Sequence, residues 1–225
     1  MSYQFKRVTL LAGHYGSGKT NIAVNLAFEL RKRVERVTVA DLDIVNPYFR
    51  TKDSEKDFER ANIRFISSKY ANSNLDVPAL PTELYSVTDD KSSFAVMDIG
   101  GDDRGALALG RYAPSLREEN DYDMLLVINK FRPLTPDAQS VLEVMREIEI
   151  AGKLPFTGIV NNSNVGRETT AEDVLSSVSF ANEVSSLTGL PVRFTSVDAR
   201  LYDELSGKIE DLFPLKLQNT LSSII

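Results

Sequence analysis

The most informative absences in this sequence are those of cysteine and histidine. The 225-residue chain contains no cysteine and a single histidine. Disulfides, thiolate metal sites, iron–sulfur ligation and cysteine nucleophiles are therefore excluded, as is a zinc site built from a histidine cluster. Long apolar runs are also missing, because none approaches the roughly 18 residues of a membrane span or the length and cleavage pattern of a secretory signal. We expect a cytoplasmic protein with no membrane partner.

Positive charge is scarce as well. Lysine and arginine number 26 against 32 acidic residues, which gives a formal net charge of −6. Proteins that coat nucleic acid use clustered lysine and arginine, so we expect no nucleic-acid partner. A local phosphate pocket remains compatible with this charge, because a few backbone amides and one lysine suffice for it. The length and ordinary composition fit one globular α/β domain, and we predict a single domain over residues 1–225.

Short, nearly continuous apolar runs alternate with segments of helical period along the chain. Such runs are typical of strands buried on both faces in parallel sheets. Between the first two runs, Ile22, Leu26 and Leu30 are spaced by four, as on an amphipathic helix. The alternation predicts an α/β fold with a doubly wound, mostly parallel sheet of about seven strands flanked by helices. The predicted strands are 7–12, 36–41, 63–67, 94–98, 124–129, 156–161 and 192–197.

Local signals predict where several helices begin and end. Thr135 is expected to cap a helix whose first turn contains Pro136 and Asp137. Thr169 and Glu172 have the spacing of a capping box, and Gly189 is expected to end that helix. The stretch 68–81 has the least pattern and is expected to form a surface loop. A further helix is predicted by four regularly spaced apolar residues: Leu201, Leu205, Ile209 and Leu212.

The strongest signal is a phosphate-binding loop between the first predicted strand and the first predicted helix. Two glycines separated by four residues and followed by lysine and threonine form the Walker A pattern. Its glycines allow a tight turn, Lys19 would reach the β- and γ-phosphates, and Thr20 would contact Mg²⁺. The alternative is a glycine-rich turn that binds nothing. The candidate nucleotide-binding residues are Gly13, His14, Tyr15, Gly16, Ser17, Gly18, Lys19, Thr20 and Asn21.

Acidic residues follow two of the predicted strands. Asp41 and Asp43 end the second strand, and Asp98 ends an apolar strand in the manner of a Walker B motif. Ligands of open α/β sheets bind outside the carboxyl ends of the strands, so all three carboxylates are expected near the phosphate loop. Asp98 and Gly101 also form a D-x-x-G pattern, in which the Gly101 amide could sense the γ-phosphate. The alternative is that Asp41 only caps a turn and Asp43 is solvated.

With these motifs the chain resembles the MinD/ParA-like ATPases of the CobQ/CobB/MinD/ParA nucleotide-binding superfamily. The resemblance implies ATP and Mg²⁺ as cofactors, with Thr20, Asp41 and Asp98 around the metal. It implies that Asp43 orients or activates the attacking water, with Lys19 as its catalytic partner, and that a homodimer forms around ATP. The group often has a signature lysine where this chain has His14. His14 would replace that lysine only when protonated, and otherwise would pack or form hydrogen bonds.

The base of the nucleotide is predicted from two asparagine motifs. The resemblance implies that Asn161, with Asn162 beside it, reads the adenine edge through its amide donor and acceptor; the alternative is a simple turn. Asn129 and Lys130 resemble the start of a guanine-reading motif, but Arg132 occupies the position of its aspartate. The sequence therefore favours ATP over GTP.

Three functions are compatible with these motifs. The leading hypothesis is a Mg²⁺-dependent ATPase that acts as a nucleotide switch and responds to an unidentified protein partner. The second is an ATP-dependent ligase or synthetase with a small-molecule substrate, as in the dethiobiotin and cobyrinate enzymes of the same superfamily. The third is a nucleotide-binding module that does not hydrolyse its ligand.

Overall fold

The computed structural model describes residues 3–42, 54–67, 82–101 and 103–217. Within these ranges the apolar runs form one sheet of eight strands in the order β3-β2-β4-β1-β5-β6-β7-β8. Each neighbouring pair is parallel. The predicted doubly wound parallel α/β fold is confirmed, with one strand more than expected. The strands are β1 (Val8–Ala12), β2 (Val37–Leu42), β3 (Arg64–Ser67), β4 (Phe94–Ile99), β5 (Tyr122–Ile128), β6 (Gly158–Asn161), β7 (Val192–Asp198) and β8 (Leu212–Leu215).

Helices cover both faces of this sheet. Leu10 of β1 belongs to an apolar cluster on one face that includes Leu142, whereas the next residue, Leu11, packs on the other face with Ile22 and Leu26. Because successive strand side chains point to opposite faces, a strand covered on both sides needs the continuous apolar run seen in the sequence. The helices are α1 (Lys19–Arg31), α2 (Glu55–Arg60), α3 (Ser86–Asp89), α4 (Asp103–Leu109), α5 (Ala113–Glu119), α6 (Ala138–Gly152), α7 (Ala171–Thr188) and α8 (Tyr202–Leu205).

The parallel strands give the sheet two chemically different edges. We call the edge at which the strands end the carboxyl edge, and the edge at which they begin the amino edge. β1 lies between β4 and β5, with Leu10 aligned to Met97 and Met124. The loop that follows β1 therefore emerges at the carboxyl edge, between the ends of β4 and β5, where ligands of such sheets bind.

The prediction of a helix across 201–212 is wrong. Only α8 is helical there, and β8 begins at Leu212 and pairs with β7. Gly207 has a φ of 85°, which the continuation of a right-handed helix does not permit. The chain therefore turns after α8, and Leu212 and Phe213 become buried as parts of an added strand.

Two predicted helix caps lie at neighbouring residues instead. The side chain of Asp137, not Thr135, caps α6 by accepting a hydrogen bond from the Ser140 amide, and Thr135 is buried in the preceding turn. The capping box of α7 pairs Thr170 with Asp173 rather than Thr169 with Glu172.

The remaining local predictions have simple outcomes. Gly189 ends α7 in the left-handed conformation, as predicted. The stretch 68–81 and the C-terminal residues 218–225 lie outside the described residues. Among the helices of the described ranges, none has the length and apolar character needed to cross a membrane.

Candidate functional site

The loop between β1 and α1 has the geometry of a phosphate cradle. Gly13, Gly16 and Gly18 have φ angles of 146°, 77° and 90°, which lie in the region that favours glycine. Helix α1 begins at Lys19, as the sequence predicted. The first backbone N–H groups of a helix have no partner within it and carry the positive end of the helix dipole. The end of this loop is therefore a ready-made anion site.

The side chain of Lys19, the first residue of α1, reaches back across the preceding loop. This side chain is buried, and Nζ donates hydrogen bonds to the backbone oxygens of Gly13 at 2.9 Å and His14 at 3.2 Å. An ammonium group in this position faces the space that the loop encloses. It can exchange hydrogen bonds with carbonyl oxygens for stronger ones with charged phosphate oxygens.

Gly101 contacts the phosphate loop directly. A Cβ atom at this residue would lie 2.7 Å from the backbone nitrogen of Tyr15 and 3.0 Å from Lys19 Nζ. The first distance is shorter than van der Waals contact permits, so the position accommodates no side chain without displacement of the loop. The D-x-x-G segment and the Walker A loop are therefore packed against each other, as expected if Gly101 responds to a bound phosphate.

Three oxygen-bearing side chains meet beside the loop. Thr20 Oγ1 donates a hydrogen bond to Asp98 Oδ2 at 2.7 Å, and Asp41 of β2 is aligned with Asp98 of β4. All three residues are buried. Residues aligned on neighbouring parallel strands project to the same face, so both carboxylates lie on the side of the sheet that α1 covers.

This set of donors suits Mg²⁺. Magnesium binds a small number of protein oxygens and keeps several waters or phosphate oxygens as its other ligands. Within the described ranges, no cluster of three or more histidine, cysteine, aspartate or glutamate residues could supply a complete cage. Two carboxylates and one hydroxyl match the partial coordination that Mg²⁺ prefers. Asp43, predicted to act on the attacking water, lies outside the described residues.

Asn161 lies in a different environment from the one predicted. Its side chain is fully buried, Nδ2 donates to Ser177 Oγ at 2.9 Å, and Oδ1 accepts from Ser163 Oγ at 2.7 Å. Both ends of the amide are therefore bonded within the protein, and the side chain joins β6 to α7. Base recognition by Asn161 stays a prediction, and it would require these hydrogen bonds to be exchanged for bonds to the base.

Asn162 supports the phosphate loop from behind. Its Nδ2 donates to the backbone oxygen of Ser17 at 2.6 Å, and its Oδ1 accepts from Ser196 Oγ at 2.6 Å. The amide thus links the loop to β7. Nearby, the Ser17 hydroxyl and the Asn21 amide oxygen are buried without a hydrogen-bond partner among the described residues.

The two remaining loop residues differ in exposure. His14 Nδ1 lies 2.8 Å from the backbone oxygen of Tyr15; because a carbonyl oxygen only accepts, Nδ1 carries the proton. An Nδ1–H is present in both the neutral tautomer and the protonated ring, so this contact is compatible with both interpretations of His14. The Tyr15 side chain is 50% exposed.

Two residues that the sequence reasoning assigned no role organise the neighbouring loop. The buried Asn129 amide donates to the backbone oxygen of Asn164 and accepts from the backbone nitrogens of Phe131 and Asn164. It thereby ties the loop after β5 to the loop after β6. Arg132, two residues after the lysine of the Asn129 motif, lies over Gly16. The partial guanine-reading motif was the signal that pointed to this region.

Two comparisons with known proteins address the sequence. The family model described as the CobQ/CobB/MinD/ParA nucleotide binding domain matches residues 8–192. No curated protein matches the chain significantly.

Solved structures with the same fold include signal recognition particle receptors. FtsY from Elizabethkingia anophelis in complex with GDP is 16% identical, with a TM-score of 0.53 over 98% of this chain and 62% of that chain. Chloroplast FtsY from Physcomitrella patens is 17% identical, with a TM-score of 0.58 over 87% of this chain and 59% of that chain. FtsY from Thermotoga maritima is 17% identical, with a TM-score of 0.57 over 98% and 67%. This chain therefore spans about two thirds or less of the length of these proteins, and the likeness concerns the fold alone.

Proposed function

Because this chain belongs to the CobQ/CobB/MinD/ParA nucleotide-binding family, we propose that it is a Mg²⁺-dependent ATPase that acts as a nucleotide switch. The observation that carries the proposal is the hydrogen bond from Thr20 to Asp98. It joins the last residue of the Walker A motif to the carboxylate of the Walker B motif. These two residues are far apart in sequence and have no purely local reason to meet.

The proposed binding step uses the backbone and two side chains of the loop. Phosphate oxygens accept hydrogen bonds from the loop amides and from Lys19, whose ammonium already faces the cradle. Thr20, Asp98 and Asp41 would hold Mg²⁺, which would supply neutralisation of phosphate charge when bound. Phosphoryl transfer depends mainly on positioning and charge stabilisation. Asp43 is proposed to orient the water that attacks the γ-phosphate.

The proposed switch uses the close contact of Gly101 with the loop. Gly101 packs closely against Tyr15 and Lys19. A γ-phosphate that binds beside Lys19 must therefore contact Gly101 or displace it. The neighbouring Gly100 is in turn packed against Gly105 of α4, so a shift of this segment reaches α4. The proposal is that this movement, and a homodimer formed around ATP, reports the nucleotide state to a protein partner.

ATP is proposed as the nucleotide because of Arg132. The Watson–Crick edge of guanine presents donors that require an acceptor, and arginine has none. The GDP in the Elizabethkingia FtsY structure belongs to that protein and would predict the opposite preference. The base is proposed to lie beside the ends of β6 and β7, near Asn162 and Asp198.

A ligase function receives no support from the cavity at the amino edge of the sheet. This cavity measures about 510 Å³ and is lined by the first residues of β2 and β3 together with Ser93, just before β4. It lies at the amino edge of the sheet, whereas the phosphate loop lies at the carboxyl edge. A substrate bound in this cavity would be a full strand length from the γ-phosphate.

The proposal is tested by titration of a fluorescent ATP analogue against the Lys19→Ala variant. Loss of a charge-assisted hydrogen-bonding group should weaken binding about 100-fold. Lys208→Ala, which removes the same charge at an exposed residue, is the matched control and should bind as the wild type does. Unchanged affinity in Lys19→Ala would refute the phosphate-loop assignment.

Base preference is tested by displacement of the bound analogue with unlabelled ATP or GTP. ATP should displace it at the lower concentration. The reverse order would mean that GTP is the preferred nucleotide. The assignment of the phosphate loop would still stand.

A further inference from the structure

The guanidinium of Arg132 lies against the phosphate loop. A Cβ atom built on Gly16 would lie 3.4 Å from both Cζ and Nε of Arg132. The guanidinium therefore lies directly over the middle of the loop, with only the hydrogens of a glycine between them. At this distance a Cβ atom on Gly16 would be in van der Waals contact with the guanidinium, so the two residues are direct neighbours.

The position of Arg132 is determined by the fold rather than by chance. Its backbone nitrogen donates to Asn129, and its backbone oxygen accepts from Thr135, so it lies in a turn that is bonded at both ends. The buried amide of Asn129 anchors this turn to the loop that follows β6. The arginine is thus delivered to the phosphate loop by a rigid connection from β5.

The charge of Arg132 is available to a ligand. The residue is exposed, and no carboxylate of the described residues forms a salt bridge with it. In a chain with a net charge of −6, an unpaired cation held against an anion-binding loop is more than a solvated surface group. Guanidinium groups bind phosphate through two parallel hydrogen bonds.

We infer that Arg132 is a second cation of the nucleotide site, supplied by the same chain, whose guanidinium binds the phosphate groups of the nucleotide over Gly16. The inference rests on the proposed nucleotide-binding function. The loop after β5 then contributes a phosphate contact from the same subunit that supplies the phosphate loop. The site then holds two cations, Lys19 and Arg132, on two sides of the cradle.

The test compares ATP and inorganic tripolyphosphate as ligands of wild type, Arg132→Ala and Arg132→Lys. Arg132→Ala should weaken both ligands by a similar factor, about 10- to 100-fold. Arg132→Lys should recover part of the loss, because lysine keeps the charge but not the paired geometry. The loss should shrink at high salt, since exposed charges are screened. Arg146→Ala, which removes an exposed arginine of α6 that forms no salt bridge among the described residues, should leave both affinities unchanged.

Each alternative result has a definite meaning. If Arg132→Ala weakens ATP but not tripolyphosphate, the guanidinium contacts the base or ribose, and the inference is overturned. If Lys19→Ala loses affinity and Arg132→Ala does not, the inference fails while the proposed function stands. If the wild type binds neither ligand, both fail together.

Discussion

The amino and carboxyl edges of the sheet both bury charged side chains, but they surround them differently. At the amino edge, Arg7 is 5% exposed and pairs with Glu119, and it also donates to the backbone oxygens of Val87 and Ser93. The hydrogen bond from Arg7 holds the pKa of Glu119 below its ordinary value. Also at the amino edge, Tyr3 donates to Asp123 at 2.5 Å, and burial raises the pKa of Tyr3 above the ordinary tyrosine value.

At the carboxyl edge, the described contacts of the polar groups include the backbone oxygens of the phosphate loop. Lys19 donates to backbone oxygens of the loop, and Thr20 donates to Asp98. Phosphate and metal can replace such contacts with stronger ones, whereas an arginine already paired with a carboxylate gains nothing from a ligand. The difference teaches that burial of charge alone does not identify a site; the partner of the charge does. Variants of the two edges should therefore separate function from stability.

The largest effect is expected from Asp43→Asn, at the residue that follows Leu42 in the sequence. Phosphate contacts come from the loop, Lys19 and Thr20, so ATP·Mg²⁺ binding should persist. Loss of a positioned carboxylate should slow hydrolysis by about 10²- to 10⁴-fold. Single-turnover hydrolysis, with binding of the fluorescent analogue as the internal control, measures this effect. Equal single-turnover rates for the wild type and Asp43→Asn would show that Asp43 has no catalytic role.

The next largest effect is expected from Arg7→Met at the amino edge, and it concerns stability. Removal of one partner of a buried ion pair costs about 3–5 kcal/mol, with the lower end expected because Lys91 still pairs with Glu119. Urea unfolding gives the free energy, and nucleotide affinity should not change under native conditions. Lys6→Met is the control, because its pair with Asp121 is half exposed and should contribute at most about 1 kcal/mol. Equal destabilisation by both variants would contradict the comparison.

Asn162→Ala should affect both properties, but more weakly. It removes hydrogen bonds to the Ser17 backbone and to Ser196, each worth about 1 kcal/mol. The loop then loses its support, and ATP affinity should fall about 10-fold, together with a small loss of stability. Asn182→Ala, on the exposed face of α7, should change neither. An affinity equal to that of the wild type would mean that the loop holds its shape without Asn162.

The smallest effect is a pH dependence at the amino edge. Because the folded pKa of Glu119 is lowered, its ionised form stabilises the fold above the pKa of the unfolded chain. This contribution is lost as the pH falls through the folded value. The difference in urea midpoint between wild type and Glu119→Gln should therefore be largest near pH 7 and decline towards pH 3. A difference that does not vary with pH would assign the effect to packing.

Local patterns determined much of the fold and the position of the candidate site. Seven strands and the start of α1 at Lys19 follow from apolar runs and from the glycine pattern, because both signals depend on residues near one another in sequence. The family comparison over residues 8–192 confirmed the resemblance that the Walker motifs indicated. Cap positions were displaced by one or two residues, since neighbouring residues such as Thr169 and Thr170 are equally able to cap and the tertiary packing selects one.

Only the tertiary structure decided which partners the polar side chains meet. Asn161 and Asn162 are adjacent and chemically identical, yet one joins β6 to α7 and the other supports the phosphate loop. No local pattern distinguishes them, because their side chains point to opposite faces of the sheet edge and the contents of those faces come from distant segments. Arg132 likewise lies over Gly16 because β5 pairs with β1, so the loops that follow these two strands are neighbours. The sequence by itself therefore determined the type of ligand site, and long-range packing determined its detailed chemistry.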